Sequence, residues 1–221
     1  GAENRLGMVT NYKRPLLNYQ FEVPPELNGQ HQLSIWFGML AKFSHFGPHK
    51  RELFCNSIGC RNSKSKTVLV APGSLNTPAK RLPTEHWAKI LKLIDQNISG
   101  ISFKIIGTSA ESEICDDLYL KVETLRCENI CGKTSLVELS KELKAAKCLF
   151  CNDSGAMHLA NFLGTAIFAI FGATSADKTG PVFTCSPVKI FMSNQNQLDD
   201  HQTIDENSLN ESIQEFLLQL N

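Results

Sequence analysis

The run Asn152-Asp153-Ser154-Gly155-Ala156-Met157-His158 gathers a carboxylate, a hydroxyl, a glycine and an imidazole into seven consecutive residues. The chemistry it offers is the holding of an anion. Asp153 or Ser154 can cap a helix starting here, and Gly155 leaves the backbone amides uncovered. The free amides of a helix start, added to its dipole, favour a pyrophosphate. His158 falls in the first turn, where it either reaches a ligand phosphate or sits as a packed, hydrogen-bonded imidazole. Met157 beside it is a secondary candidate.

Three other segments have related character. In Pro72-Gly73-Ser74, a glycine and a serine permit close approach of the backbone to an anion. Lys80 and Arg81, a few residues on, offer a point charge and a second cation for a phosphate, or form an ordinary surface pair. Gly107-Thr108-Ser109 is followed by Glu111 and Glu113. A carboxylate there can accept from the two hydroxyls of a ribose, or can stabilise the positive start of the next helix. Last comes Phe171-Gly-Ala-Thr174-Ser175 with Asp177 and Thr179-Gly180-Pro181, where Thr174 and Ser175 either contact a ligand or cap and turn.

The elements that must position these segments alternate. Apolar runs at 67–71, 102–106, 129–131, 147–151 and 166–171 predict strands. Between them, Trp87, Ile90, Leu91 and Ile94 mark one helical face, and Ile114, Leu118, Val122 and Leu125 a second. Ser135-Leu-Val-Glu138 has the form of a capping box opening a third helix. A fourth spans 154–163 and stops at Gly164. Each candidate segment follows a strand, the place where an open α/β sheet presents ligands. The alternation predicts a Rossmann-like parallel sheet covered by helices on both faces, with right-handed crossovers. A last helix is expected over 205–220, after a polar loop at 193–201. Residues 1–66 do not read as a complete domain: 31–43 predict a helix, with no strands in view for it to cover.

The 221 residues suffice for one large domain or for one domain with a piece of another, and 42% hydrophobic residues is ordinary for a globular chain. Lys plus Arg equals Asp plus Glu, 22 against 22, which argues against a general nucleic-acid binder. Residues 1–66 are mildly basic and could face an anionic surface. No apolar run approaches the ~18 residues of a membrane span, and the first ten residues lack the apolar core of a signal peptide, so the expectation is a cytoplasmic protein. Eight cysteines sit mostly in apolar or helical context, as small buried hydrophobes in a reducing compartment. Cys127 with Cys131 and Cys148 with Cys151 have zinc-like spacing. The second pair falls in a predicted strand, where alternate side chains diverge, so zinc is the lesser reading.

Taken together, Ala71-Pro-Gly-Ser74, Ala79-Lys-Arg-Leu-Pro83 with Trp87, Ile106-Gly-Thr-Ser109 with Glu113, Ile130-Cys-Gly-Lys-Thr-Ser-Leu136, Asn152 to Ala160 and Phe171-Gly-Ala-Thr174 resemble the ADP-heptose:lipopolysaccharide heptosyltransferases. Order and spacing match the donor half of that family, whose fold is the two-domain GT-B architecture. Leu82 departs from the Trp common there. Glu3-Asn-Arg-Leu-Gly7 and Leu16-Leu-Asn18 resemble, less specifically, the end of the family's acceptor domain. The resemblance implies a donor domain at 67–221 preceded, over 1–66, by the tail of an acceptor domain plus linker.

It also implies an enzyme that moves heptose from ADP-heptose to the inner core of lipopolysaccharide with inversion. Lys80 would bind the diphosphate and Glu113 the adenosine ribose. Ser74, Asp153, Ser154 and Gly155 would line the diphosphate and sugar pocket with His158 behind them; Gly73, Arg81, Thr108, Met157 and Thr174 are secondary candidates. Cations and amides aimed at the leaving diphosphate stabilise its developing charge, and a nearby carboxylate favours the oxocarbenium-like sugar. No cofactor or metal is implied, because the chain has no Asp-x-Asp segment. The lipid acceptor implies peripheral contact with the inner face of the inner membrane. The family's general base is an Asp near the start of the acceptor domain. The chain begins after that point, so the expectation is donor binding with poor transfer by this polypeptide alone. Two alternatives are a non-catalytic nucleotide-binding scaffold and a transferase of another nucleotide-sugar.

Overall fold

The computed structural model describes residues 3–8, 17–43, 65–74, 80–172, 174–183, 185–193 and 204–220. It opens with β1 (Leu6–Met8) and β2 (Tyr19–Phe21), which pair in parallel, followed by a 3₁₀ turn at Pro25–Leu27 and helix α1 (Gln32–Phe43). The helix matches the one expected over 31–43. The strand pair is new: three residues each are too few to show alternation, and only the partner strand fixes them.

From Thr67 the chain alternates: β3 (Thr67–Ala71), α2 (Thr84–Asn97), β4 (Ser102–Ile105), α3 (Ser112–Lys121), β5 (Cys127–Asn129), α4 (Leu136–Ala145), β6 (Cys148–Asn152), α5 (Gly155–Leu163), β7 (Ala166–Phe171), α6 (Ala176–Thr179), β8 (Val188–Met192) and α7 (Glu206–Leu218). The strands form one parallel sheet in the order β5-β4-β3-β6-β7-β8. Pleating divides each strand between two cores. Val68, Val70, Phe103, Phe150 and Phe168 pack with residues of α2, α3 and α7, whereas Leu69, Leu149, Ile167 and Ala169 pack with residues of α4 and α5. In the first core Phe150 and Phe168 stack at 5.0 Å, and Phe216 of α7 meets each at 5.7 Å.

Local chemistry sets the helix ends. Ser135 and Glu138 make the capping box that opens α4, with Ser135 N–H and Oγ–H donating to Glu138 and Glu138 N–H donating back. Gly164 ends α5 at φ 74°, a left-handed turn that favours glycine. Two strands differ from expectation. β5 lies two residues earlier than its apolar run suggested, because its ladder opposes Phe103–Ile105 and the chain then leaves the sheet, Cys131 N–H turning back to Asn129 Oδ1. β8 was not anticipated; its sequence carries Lys189 on a partly covered edge and shows no clean pattern.

Cys148 belongs to the first core and Cys151 to the second, so the two thiols lie on opposite faces of the sheet. Burial pushes Cys148 up to about 12. Among the described residues no group of three or more His, Cys, Asp or Glu is arranged to hold a metal ion. No described helix is long and apolar enough to cross a membrane. The polar loop expected at 193–201 lies, apart from Ser193, outside the described residues.

Candidate functional site

After β3 the chain builds β4 and β5 to one side, then returns to lay β6 against β3 and continues through β7 and β8 on the other. The carboxyl ends of β3 and β6 therefore form a switch point, where diverging loops leave a crevice. A cleft of about 880 Å³ opens there.

Asn152, the last residue of β6, is fully buried and joins two of the loops. Its Nδ2 donates to Pro72 O at 2.7 Å, and its Oδ1 accepts from Leu82 N–H at 3.3 Å. Both hydrogen-bonding ends of the amide are satisfied, which makes burial of this polar side chain tolerable. It also delivers Lys80 to the next residue. Asp153 is 5% exposed, and its Oδ2 accepts from Lys80 Nζ at 2.6 Å, Thr174 Oγ1 at 2.7 Å and Thr179 Oγ1 at 3.2 Å. One carboxylate oxygen thus gathers the loops after β3, β6 and β7. Oδ1 takes no hydrogen bond among the described residues.

Ser154 takes the N-cap position of α5, yet its hydroxyl makes no capping bond, and its buried Oγ has no partner among the described residues. The leading amides of α5 therefore keep their capacity to bind an acceptor. Gly155 is exposed, and a Cβ built on it would meet nothing within 4 Å. His158 keeps part of its ring in solvent but lies in the cleft lining. Loss of hydration pulls its pKa below 6.5; Asp153 opposes that shift, while His31 and Lys80 add to it.

On the other side of the switch point, Thr108 and Glu111 form a capping box, Glu111 Oε2 accepting from Thr108 N–H at 2.8 Å and from its hydroxyl at 2.9 Å. The rest of that carboxylate is turned toward Gly73: a Cβ there would stand 2.2 Å from Glu111 Oε1. Only glycine leaves Glu111 this position without displacement. Ser74, Lys80, Thr108, Asp153, Ser154, Gly155, His158 and Gly73 all line the cleft.

Four sequence candidates do not. Glu113 is exposed and outside the lining, two positions past the carboxylate that faces the cleft. Arg81 turns its Nε to Ser74 O at 3.1 Å and supports the backbone. Met157 is fully buried in the second core. Thr174 acts on Asp153. Conversely, Thr134, Ser135, Leu136 and Leu139 line the β5 side, Thr179 the β7 side, and Gln32 of α1 enters from the front segment. Nothing local in the sequence marks Gln32, because its place depends on how α1 packs.

An open parallel sheet with helices on both faces and a polar cleft at its switch point defines a doubly wound α/β protein with its cleft where such sheets present ligands. The family model for glycosyltransferase family 9 (heptosyltransferase) matches residues 2–209, and the chain belongs to that family. Lipooligosaccharide heptosyltransferase 2 of Campylobacter jejuni is 32% identical over 130 residues, 58% of this chain and 40% of that protein. Lipopolysaccharide heptosyltransferase 2 of Escherichia coli is 31% identical over 132 residues, 58% of this chain and 37% of that protein. The alignments thus span about two fifths of these relatives' length. Among solved structures, the E. coli ADP-heptose lps heptosyltransferase II superposes with a TM-score of 0.72 at 21% identity, over 99% of this chain and 71% of that one. An E. coli heptosyltransferase solved with ADP superposes at 0.64 and 20% identity, over 91% and 61%. These are GT-B heptosyltransferase folds, and the six-stranded sheet with its flanking helices matches them.

Proposed function

We propose that the cleft binds ADP-heptose as donor and that the protein of which this chain is part transfers heptose to the inner core of lipopolysaccharide with inversion. The observation that carries this reading is the Lys80–Asp153 pair, a cation and a carboxylate joined at 2.6 Å beside the open start of α5. Sheet order then gives the cleft a polarity. The loops after β4 and β5 supply Thr108, Glu111 and an apolar wall of Ile106, Leu136 and Leu139, suited to a nucleoside. The loops after β3 and β6 supply Ser74, Lys80 and the amides at Ser154 and Gly155, suited to a diphosphate. The loop after β7 supplies Thr179 at the end left for the sugar. An E. coli family neighbour was solved with ADP, which supports adenine as the base.

Glu111 replaces Glu113 as the proposed ribose holder. Glu111 Oε2 is committed to Thr108, and Oε1 remains for a hydroxyl. Of the described residues lining the cleft, only Glu111 and Asp153 are carboxylates, and both already hold partners. That favours direct displacement by an acceptor hydroxyl, with inversion, over a covalent sugar–carboxylate intermediate. Lys80 and the α5 amides would stabilise the departing ADP without a metal. Work at the cytoplasmic face of the inner membrane follows from a lipid acceptor. Calorimetric titration with ADP and UDP tests the donor assignment. ADP binding, absent for UDP and lost in Lys80→Ala, is expected; equal binding of both nucleotides would overturn it.

A further inference from the structure

Segments that follow β3, β4, β5, β6 and β7 supply most of the cleft lining, but Gln32 comes from the front segment, where no strand of the main sheet holds it. What holds it is His31. Leu33 N–H donates to His31 Nδ1 at 3.2 Å, so Nδ1 must carry a lone pair and the ring proton sits on Nε2. Nε2 lies 3.1 Å from Gly180 O, 149 positions away, and in this tautomer it donates to that carbonyl. One imidazole therefore caps α1 and ties its start to the loop after α6.

That loop is firm. Asn161, 2% exposed, accepts at Oδ1 from Val182 N–H at 2.9 Å and Phe183 N–H at 2.8 Å, and donates from Nδ2 to Phe183 O at 2.8 Å. Gly180 N–H closes on Ala176 O at 2.7 Å, and a Cβ on Gly180 would stand 2.4 Å from the same oxygen. Thr179, immediately before Gly180, lines the cleft and donates to Asp153. Anchoring to Gly180 thus ties the start of α1, where Gln32 lies, to the loop that follows Thr179. The Gln32 side chain has no hydrogen-bond partner among the described residues, and it offers two donors and an acceptor.

We propose that Gln32 is a donor-sugar contact supplied by the front segment and that His31 is its positioning residue, acting through Gly180. This rests on the donor reading above. A hydroxyl-rich sugar is the ligand class an uncharged amide recognises, and a nucleoside diphosphate without the sugar does not reach it.

The test is titration of the full chain with ADP and with ADP-heptose, for wild type, Gln32→Ala, His31→Asn and His31→Gln. Asn at 31 can still cap α1 but is too short for Gly180; Gln can span to the carbonyl. Gln32→Ala and His31→Asn are expected to bind ADP within about twofold of wild type and ADP-heptose about three- to tenfold more weakly, one or two hydrogen bonds' worth. His31→Gln is expected to recover part of the loss. Unchanged ADP-heptose affinity in both variants, or an equal loss for ADP and ADP-heptose, overturns the proposal while leaving the donor reading intact. Failure of the wild type to bind ADP overturns the donor reading and this one with it.

Discussion

Lys80 and Asp153 stand 73 positions apart in the chain and 2.6 Å apart in space, the ammonium directed to the one carboxylate oxygen that two threonines also serve. The pair is mostly out of water, with side chains 19% and 5% exposed. Each charge therefore depends on the other, and the two halves of the pair should fail differently.

Lys80→Ala leaves Asp153 with only its threonines. A loss of about 1–3 kcal/mol of stability is expected from a buried charge deprived of a partner, with ADP affinity falling at least about tenfold. Asp153→Asn instead frees the ammonium. ADP affinity is then expected to hold or rise while the melting temperature falls. Parallel loss of ADP binding in both variants would mean that the pair shapes the loop rather than supplying charge to the ligand.

Glu111 and Glu113 separate the ribose assignment cleanly. Glu111→Gln is expected to weaken ADP several-fold and to erase the preference for ADP over 2′-deoxy-ADP, whereas Glu113→Gln binds as wild type. A preference that survives in Glu111→Gln removes the ribose role from that residue.

Gly73→Ala tests why glycine follows Pro72. Its methyl group would meet Glu111 Oε1 and Cδ at 2.2 and 2.6 Å, and a flexible side chain can swing aside. Stability should change little and ADP affinity should fall. In a Glu111→Ala background the same substitution should cost almost nothing, a coupling of about 0.5–3 kcal/mol in a double-mutant cycle. Additive losses would place the effect on Gly73's own approach to the ligand.

His158 titrates below its ordinary 6.5 in the fold. Between the folded pKa and 6.5 the unfolded chain binds a proton that the native chain does not, so stability rises with pH across that window. The contribution is fully present above 6.5 and is lost as pH falls through the folded pKa. Chemical denaturation from pH 5 to 7.5 should show this slope, and His158→Asn should flatten it. A diphosphate beside the ring would raise its pKa, so ADP binding near pH 6 should take up protons, read as a buffer-dependent enthalpy. An uptake that persists in His158→Asn belongs to another group.

Phe216→Ala should cost about 3–5 kcal/mol, because α7 loses the ring that meets both Phe150 and Phe168. Thermal unfolding measures it. A cost below about 1 kcal/mol would mean that α7 contributes little to the first core.

Much of this architecture is legible in the sequence because its signals are local. Ser135 and Glu138 announce the start of α4 without any partner, Gly164 marks a helix end, and the run 166–171 is apolar on both faces because helices cover both. The misses share the opposite property. β5 takes its register from Phe103–Ile105, and β1 and β2 exist only through each other. Glu111 and Glu113 are equivalent as letters two positions apart; only the capping box at Thr108 turns one inward. Gln32 belongs to the cleft through a contact 149 residues distant from its neighbour His31, which no pattern in a single segment encodes.

Asn152 carries a consequence for how the protein comes to be made. Its two amide bonds reach back 80 and 70 residues, to Pro72 and Leu82, and close only after β6 has docked beside β3 with two strands and three helices threaded between. Closing such loops is entropically slow, and contacts of this sequence separation belong late in folding. The cleft is therefore among the last features a nascent chain acquires, and no fragment ending before residue 152 can own it. A bound nucleotide would reward only the finished sheet and would act as a selective stabiliser of its completed form, adding about 2.7 kcal/mol at a hundredfold excess over its dissociation constant.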